Sequence, residues 1–128
     1  MIMSARQRVL VVEDEFLVAM TLQDSLEDWG YEVVGPSGHL QDAMDLLEAE
    51  PVDAAIIDVN LAGQPIFPLA ARLKARGIPF VLTTGYERSV IPEEFRDAAW
   101  LQKPVREAEL REAVGALWKQ EGPAGAGA

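Results

Sequence analysis

The chain has 128 residues, enough for one domain that buries roughly two thirds of its unfolded surface. A hydrophobic fraction of 49% sets disorder aside, and the lack of cysteine excludes disulfides and thiolate chemistry. The formal charge of −10 repels phosphate backbones, which argues against direct nucleic-acid binding. No apolar run approaches the ~20 residues of a membrane helix. Met1 to Arg8 lacks the apolar core of a signal peptide, so a cytoplasmic protein is expected.

Arg8-Val9-Leu10-Val11-Val12 is a continuous apolar run that ends in Glu13-Asp14-Glu15, and it reads as a buried strand. From Phe16 the period becomes helical, with Val18, Leu22, Leu26 and Trp29 on one side and Gly30 as the stop. Tyr31 to Val34 reads as an outer strand closed by Gly35-Pro36, followed by a helix from Gln41 to Glu50. Its inner face is expected to carry Leu40, Ala43, Leu46 and Leu47, and His39 precedes it in a surface loop.

Asp53-Ala54-Ala55-Ile56-Ile57-Asp58 is the central strand, bounded by Pro51 and Gly63. Pro65 fits the first turn of a third helix carrying Ile66, Leu69, Ala70 and Leu73, with Gly77 past its end. Ile78 to Thr83 is the fourth strand and runs into Thr84-Gly85-Tyr86. Glu87 to Asp97 carries Pro92 and allows only a turn or two of helix, so it is expected to be the mobile stretch. Ala98 to Leu101 is a fifth strand ending in Gln102-Lys103-Pro104, and the last helix spans about Arg106 to Lys119. Arg106 stands where a Ser or Asp would cap that helix, with Glu109 at N3. Residues 1–7 read as an N-terminal extension, 8–120 as the domain and 121–128 as a flexible tail.

Strands alternating with helices require a parallel sheet with right-handed crossovers, here a small doubly wound α/β fold with helices on both faces. All strands then point one way, and their carboxyl ends supply Glu13, Asp14, Asp58, Thr84 and Lys103. Clustered carboxylates repel unless a cation joins them, and oxygen-only ligands suit Mg²⁺. A carboxylate beside a metal, a lysine and a hydroxyl is equipped for phosphoryl transfer. Plainer readings exist for each residue: Asp58 as a turn starter, Glu13 and Asp14 as a solvated helix start, Thr84 as a strand residue.

Val-Val-Glu-Asp-Glu, Ile-Ile-Asp-Val-Asn-Leu, Thr-Thr-Gly and Gln-Lys-Pro, in this order, resemble the motifs of the receiver domain of two-component response regulators. The match covers Arg8 to Lys119 and implies a flavodoxin-like strand order of 2-1-3-4-5. It implies that Asp58 accepts a phosphoryl group from a histidine kinase or phosphotransfer protein, with Thr84 and Lys103 holding its oxygens. Asp14, Asp58 and the Asn60 carbonyl would bind Mg²⁺, with Glu13 acting through water. Glu13 stands where Asp is commoner in the family. Thr83 competes with Thr84 for the hydroxyl role, and Gly85 after Thr84 favours the latter. Lys103-Pro104 resembles the family's cis peptide, and Trp100 its switch aromatic. Asp-Val-Asn-Leu-Ala-Gly with Pro-Phe-Val-Leu-Thr-Thr-Gly-Tyr is similar to an alphaproteobacterial subfamily named for a Phe-Ala-Thr-Gly-Tyr motif, from which Val81-Leu82-Thr83 departs.

The expectation is a stand-alone switch, not an enzyme beyond its own phosphorylation and dephosphorylation, that signals to a downstream protein partner. A homodimer is compatible with it, whereas membrane and nucleic-acid partners are not expected. Two alternatives are a Mg²⁺-dependent phosphatase with an Asp nucleophile and a phosphorylation-independent pseudo-receiver. The first usually needs an acid/base aspartate where Asn60 stands, and the second would be expected to have lost one of the site residues.

Overall fold

The computed structural model describes residues 6–61, 63–85 and 91–118. The apolar runs became strands β1 (Arg8–Val12), β3 (Ala54–Asp58) and β6 (Phe80–Thr84), every residue of β3 and β6 being buried. Such runs lack alternation because helices cover both faces of the sheet they build. β2 (Glu32–Ser37) and β7 (Ala99–Gln102) lie at the two edges and are less buried. The five strands are all parallel, in the order β2-β1-β3-β6-β7. This is the expected 2-1-3-4-5 order once the two-residue strands β4 (Asn60–Leu61) and β5 (Gln64–Pro65) are set apart as a separate antiparallel hairpin.

Helices α1 (Phe16–Asp28) and α4 (Glu107–Leu117) cover one face, and α2 (Leu40–Ala49) and α3 (Phe67–Ala75) the other. The α1/α4 side buries Val9, Val11, Ile56 and Val81 against Leu22, Leu26, Leu110 and Val114. The α2/α3 side buries Leu10, Ile57 and Leu82 against Leu47, Leu69 and Leu73. Among the described residues, no helix is long and apolar enough to cross a membrane.

Beyond shifts of a residue or two, the start of α3 and the end of β2 differ from the sequence reading. Pro65 does not start α3: it pairs with Asn60 in the β4–β5 hairpin, and Pro68 occupies the first turn of the helix. Either proline fits a helix start on its own, and the pairing after Asp58 decides between them. β2 continues through Gly35-Pro36 to Ser37, with a register shift against β1 and a cis Gly35–Pro36 bond. An edge strand tolerates Pro because one side of it has no ladder to fill. Gly35 is required there, since its φ is +95° and a Cβ would stand 2.9 Å from the Ser37 nitrogen. As expected, Arg106 stands at the cap position of α4, and its side chain makes no capping bond.

Of the stretch from Glu87 to Asp97, residues 91–97 hold a short 3₁₀ turn, Glu93–Phe95, with Phe95 buried against Phe67 and Phe80. Residues 86–90 lie outside the described residues, as do 1–5 and the tail after Trp118, so the tail expectation and the 87–90 part of the mobility expectation fall there. Trp100 is half-buried against the α2/α3 core, His39 is exposed, and Trp118 donates its indole N–H to Tyr31 at 3.0 Å.

At the amino end of the sheet, Arg8 ties four segments together. Its guanidinium reaches Glu32 at 2.6 Å, Glu50 at 2.8 Å and the Pro51 carbonyl at 2.8 Å, while its backbone N–H donates to Asp53. An isolated surface pair contributes little, but this network holds β2, α2 and the entry to β3 from one side chain. Arg8→Ala is expected to lower unfolding stability by about 1 kcal/mol in urea melts, less in high salt.

Candidate functional site

The carboxyl edge of the sheet gathers the residues singled out above. β1 runs into Glu13, whose backbone N–H donates to the Ser37 carbonyl at 2.9 Å. That bond is why β2 extends past Pro36: the extra residues brace the acidic turn. Glu13 is 3% exposed, Asp58 5%, Thr83 3% and Thr84 1%, while Asp14 stands open to solvent. Buried charge at a strand end is costly unless paired, so the partners define the site.

Lys103 supplies the pairing. Its Nζ donates to Asp58 Oδ2 at 2.9 Å and lies 3.1 Å from Glu13 Oε1, with Glu15 at 3.8 Å. The Lys103 backbone N–H donates to the Thr84 carbonyl at 2.8 Å, and the Lys103–Pro104 bond is cis, as expected. Asp58 Oδ1 accepts the Asn60 N–H at 3.1 Å, and Glu13 Oε2 accepts the Glu15 N–H at 3.0 Å.

Burial pushes the Glu13 carboxyl above its ordinary value, and the Asp58 charge pushes the same way; the Glu15 N–H and Lys103 oppose without cancelling. Burial alone would lower the Lys103 ammonium, but the hydrogen bond and charge of Asp58, then of Glu13, raise it on balance.

Glu13, Asp14 and Asp58 can each bring a carboxylate oxygen within 4.8 Å of the others. Glu13 Oε1 is buried without a hydrogen bond, its contact with Lys103 being an ion pair of poor hydrogen-bond geometry. An all-oxygen donor set with an incompletely satisfied buried carboxylate fits a hard divalent cation. Every residue named from the sequence is therefore at this edge. Two were missed: Glu15, close enough to compete for Lys103, and Ser37, whose carbonyl orders Glu13. Glu15 was visible only as the third acid of a run, and the role of Ser37 depends on a backbone bond that no side chain announces.

Comparison with known proteins agrees with this geometry. The family model for the response regulator receiver domain matches residues 9–115. The transcriptional regulatory protein PdtaR of Mycobacterium tuberculosis is 35% identical over 112 residues, covering 84% of this chain and 55% of that protein. The chain thus spans about half the length of that curated relative. Among solved structures, SdrG from Sphingomonas melonis Fr1 is 42% identical with a TM-score of 0.79, covering 91% of this chain and 99% of that one. The BeF3-activated conformation of SdrG from Pseudomonas melonis Fr1 is also 42% identical, with a TM-score of 0.75 over 90% of this chain and 98% of that one. A fold, an acidic strand-end site and a family match of this extent have one reading, and the chain belongs to the response regulator receiver domain family of two-component signalling.

Proposed function

We propose that the chain is a phosphorylation-dependent switch in which Asp58 is the phosphoacceptor, with a histidine kinase or phosphotransfer protein as donor. The observation that carries this reading is the 2.9 Å contact between Lys103 Nζ and Asp58 Oδ2 inside a buried acidic cluster. In the reaction a bond forms between an Asp58 carboxylate oxygen and phosphorus as the donor's bond to phosphorus breaks. The bonding pair leaves on the imidazole nitrogen of a phosphohistidine, which then takes up a proton, or on the acetate of acetyl phosphate. Lys103 neutralises charge on the transferring oxygens, and the Thr84 hydroxyl donates to one of them. Glu13, Asp14, Asp58 and the Asn60 carbonyl are the Mg²⁺ ligands in this reading, Glu13 through water. When bound, Mg²⁺ offsets the carboxylate repulsion and the charge of the phosphoryl oxygens.

The output is a conformation recognised by a protein partner, and the only reaction is on Asp58 itself. Residues 8–120 form the functional unit. Asp58-Val59-Asn60-Leu61 and the Phe80-to-Tyr86 segment support placing the chain in the subfamily with a Phe-Ala-Thr-Gly-Tyr-like motif.

Incubation with acetyl phosphate and Mg²⁺ should put an acid-labile phosphoryl group on the protein, and excess chelator should prevent it. Mg²⁺ alone should raise the melting temperature, because binding to the folded state adds stability by mass action. Labelling at full rate in chelator would remove the metal from the reaction.

A further inference from the structure

Two threonines end β6, and they face opposite ways. Neighbours along a strand alternate between its faces. Val81 packs in the α1/α4 core and Leu82 in the α2/α3 core, so Thr83 follows Val81 and Thr84 follows Leu82. By the same alternation Asp58 follows Ile56, Glu13 follows Val11 and Lys103 follows Leu101, all on the α1/α4 side. The ladders pair Val11 with Ile56, Ile56 with Val81 and Asp58 with Thr83. Glu13, Asp58 and Thr83 therefore stand in one transverse row.

β6 lies between β3 and β7, so the Lys103 side chain must cross β6 to reach Asp58, and Thr83 is on the face it crosses. Thr83, Glu13 and Lys103 line one end of a cavity of about 520 Å³ between α1 and α4. Only 3% of Thr83 is exposed, and its carbonyl accepts the Val59 N–H at 2.8 Å. Among the described residues its hydroxyl makes no hydrogen bond. The hydroxyl oxygen is not among the buried side-chain atoms left without a partner, so it keeps contact with solvent and is available to donate to a ligand. Asp58 is not its partner: Oδ1 takes the Asn60 N–H and Oδ2 takes Lys103.

We propose that Thr83 is a second phosphoryl-binding hydroxyl, donating from the α1/α4 side to an oxygen of the group carried on Asp58. Adjacent strands are about 4.8 Å apart, so the donor sits one side chain from the acceptor. This rests on Asp58 being the phosphoacceptor. Thr84 approaches the same group from one residue further along β6, and the two hydroxyls contact different oxygens.

The experiment titrates the full chain with beryllofluoride and Mg²⁺, followed by ¹⁹F NMR, and measures acetyl phosphate labelling in parallel. Thr83→Val keeps the β-branched shape and removes the donor; Thr83→Ser keeps the donor. Loss of one hydrogen bond to a charged group should weaken beryllofluoride binding of Thr83→Val about tenfold, and Thr83→Ser should recover most of it. The Mg²⁺ affinity measured alone and the melting temperature should hardly change. Parental beryllofluoride affinity in Thr83→Val overturns the proposal, as does equal weakening in Val and Ser, which marks a packing role. Failure of the parent chain to bind beryllofluoride or take label instead overturns the Asp58 reading, and Thr83 falls with it.

Discussion

Asp58→Asn is expected to take up no acid-labile phosphoryl group from acetyl phosphate in Mg²⁺. The carboxylate closes the central strand, is 5% exposed, and holds Lys103 at 2.9 Å. An asparagine side chain keeps an oxygen for the Asn60 N–H but offers no anionic nucleophile. Two other acids stand close by. Glu13 is buried with its proton held more tightly than usual, and Asp14 is exposed to solvent outside the Lys103 contacts. Neither matches Asp58 in pairing burial with a 2.9 Å ammonium contact, so the loss should be complete and not partial. Circular dichroism should show the variant folded, because the amide preserves the shape of the strand end. Undiminished label on the Asn variant would move the phosphoacceptor to another carboxylate.

The strands of this fold were legible because burial on both faces writes them as unbroken apolar runs, as in Ala54 to Ile57 and Val9 to Val12. The site was legible for a related reason: in a parallel sheet, whatever follows each run arrives at the same edge. Glu13, Asp58, Thr84 and Lys103 could be grouped from order alone. Features that depend on two distant segments were not legible. Pro65 and Pro68 are equivalent as helix starts until Leu61 is seen to pair with Gln64. The reach of β2 to Ser37 follows from a register shift against β1. Thr83 and Thr84 are adjacent in a list of letters, and only sheet order and register send them to different sides of Asp58.

Lys103→Ala should be the most destabilising of the site substitutions, and its cost should depend on pH. The ammonium, 23% exposed, is shared by two buried carboxylates, so removing it leaves Glu13 and Asp58 facing each other across β1 and β3. Uncompensated buried charge of this kind costs about 2 kcal/mol or more at pH 7. In the parent, Glu13 already binds its proton more tightly folded than unfolded. Its contribution to stability is therefore complete below the ordinary value of 4.5 and is lost as pH rises through the elevated one. Lys103 works at the other end of the scale: its raised value makes its contribution complete below 10.5 and lost only above that. Taking away the ammonium removes what pulls Glu13 down, so Glu13 rises further and its protonation relieves the repulsion. The deficit of the variant should be largest near neutral pH and shrink toward pH 5, and Mg²⁺ should narrow it at pH 7 by supplying the missing positive charge. Urea melts of parent and variant at pH 5 and 7, with and without Mg²⁺, read all of this directly. A deficit that is the same in all four conditions would mean that Lys103 holds the fold by packing of its stem and that the carboxylates at this edge do not repel.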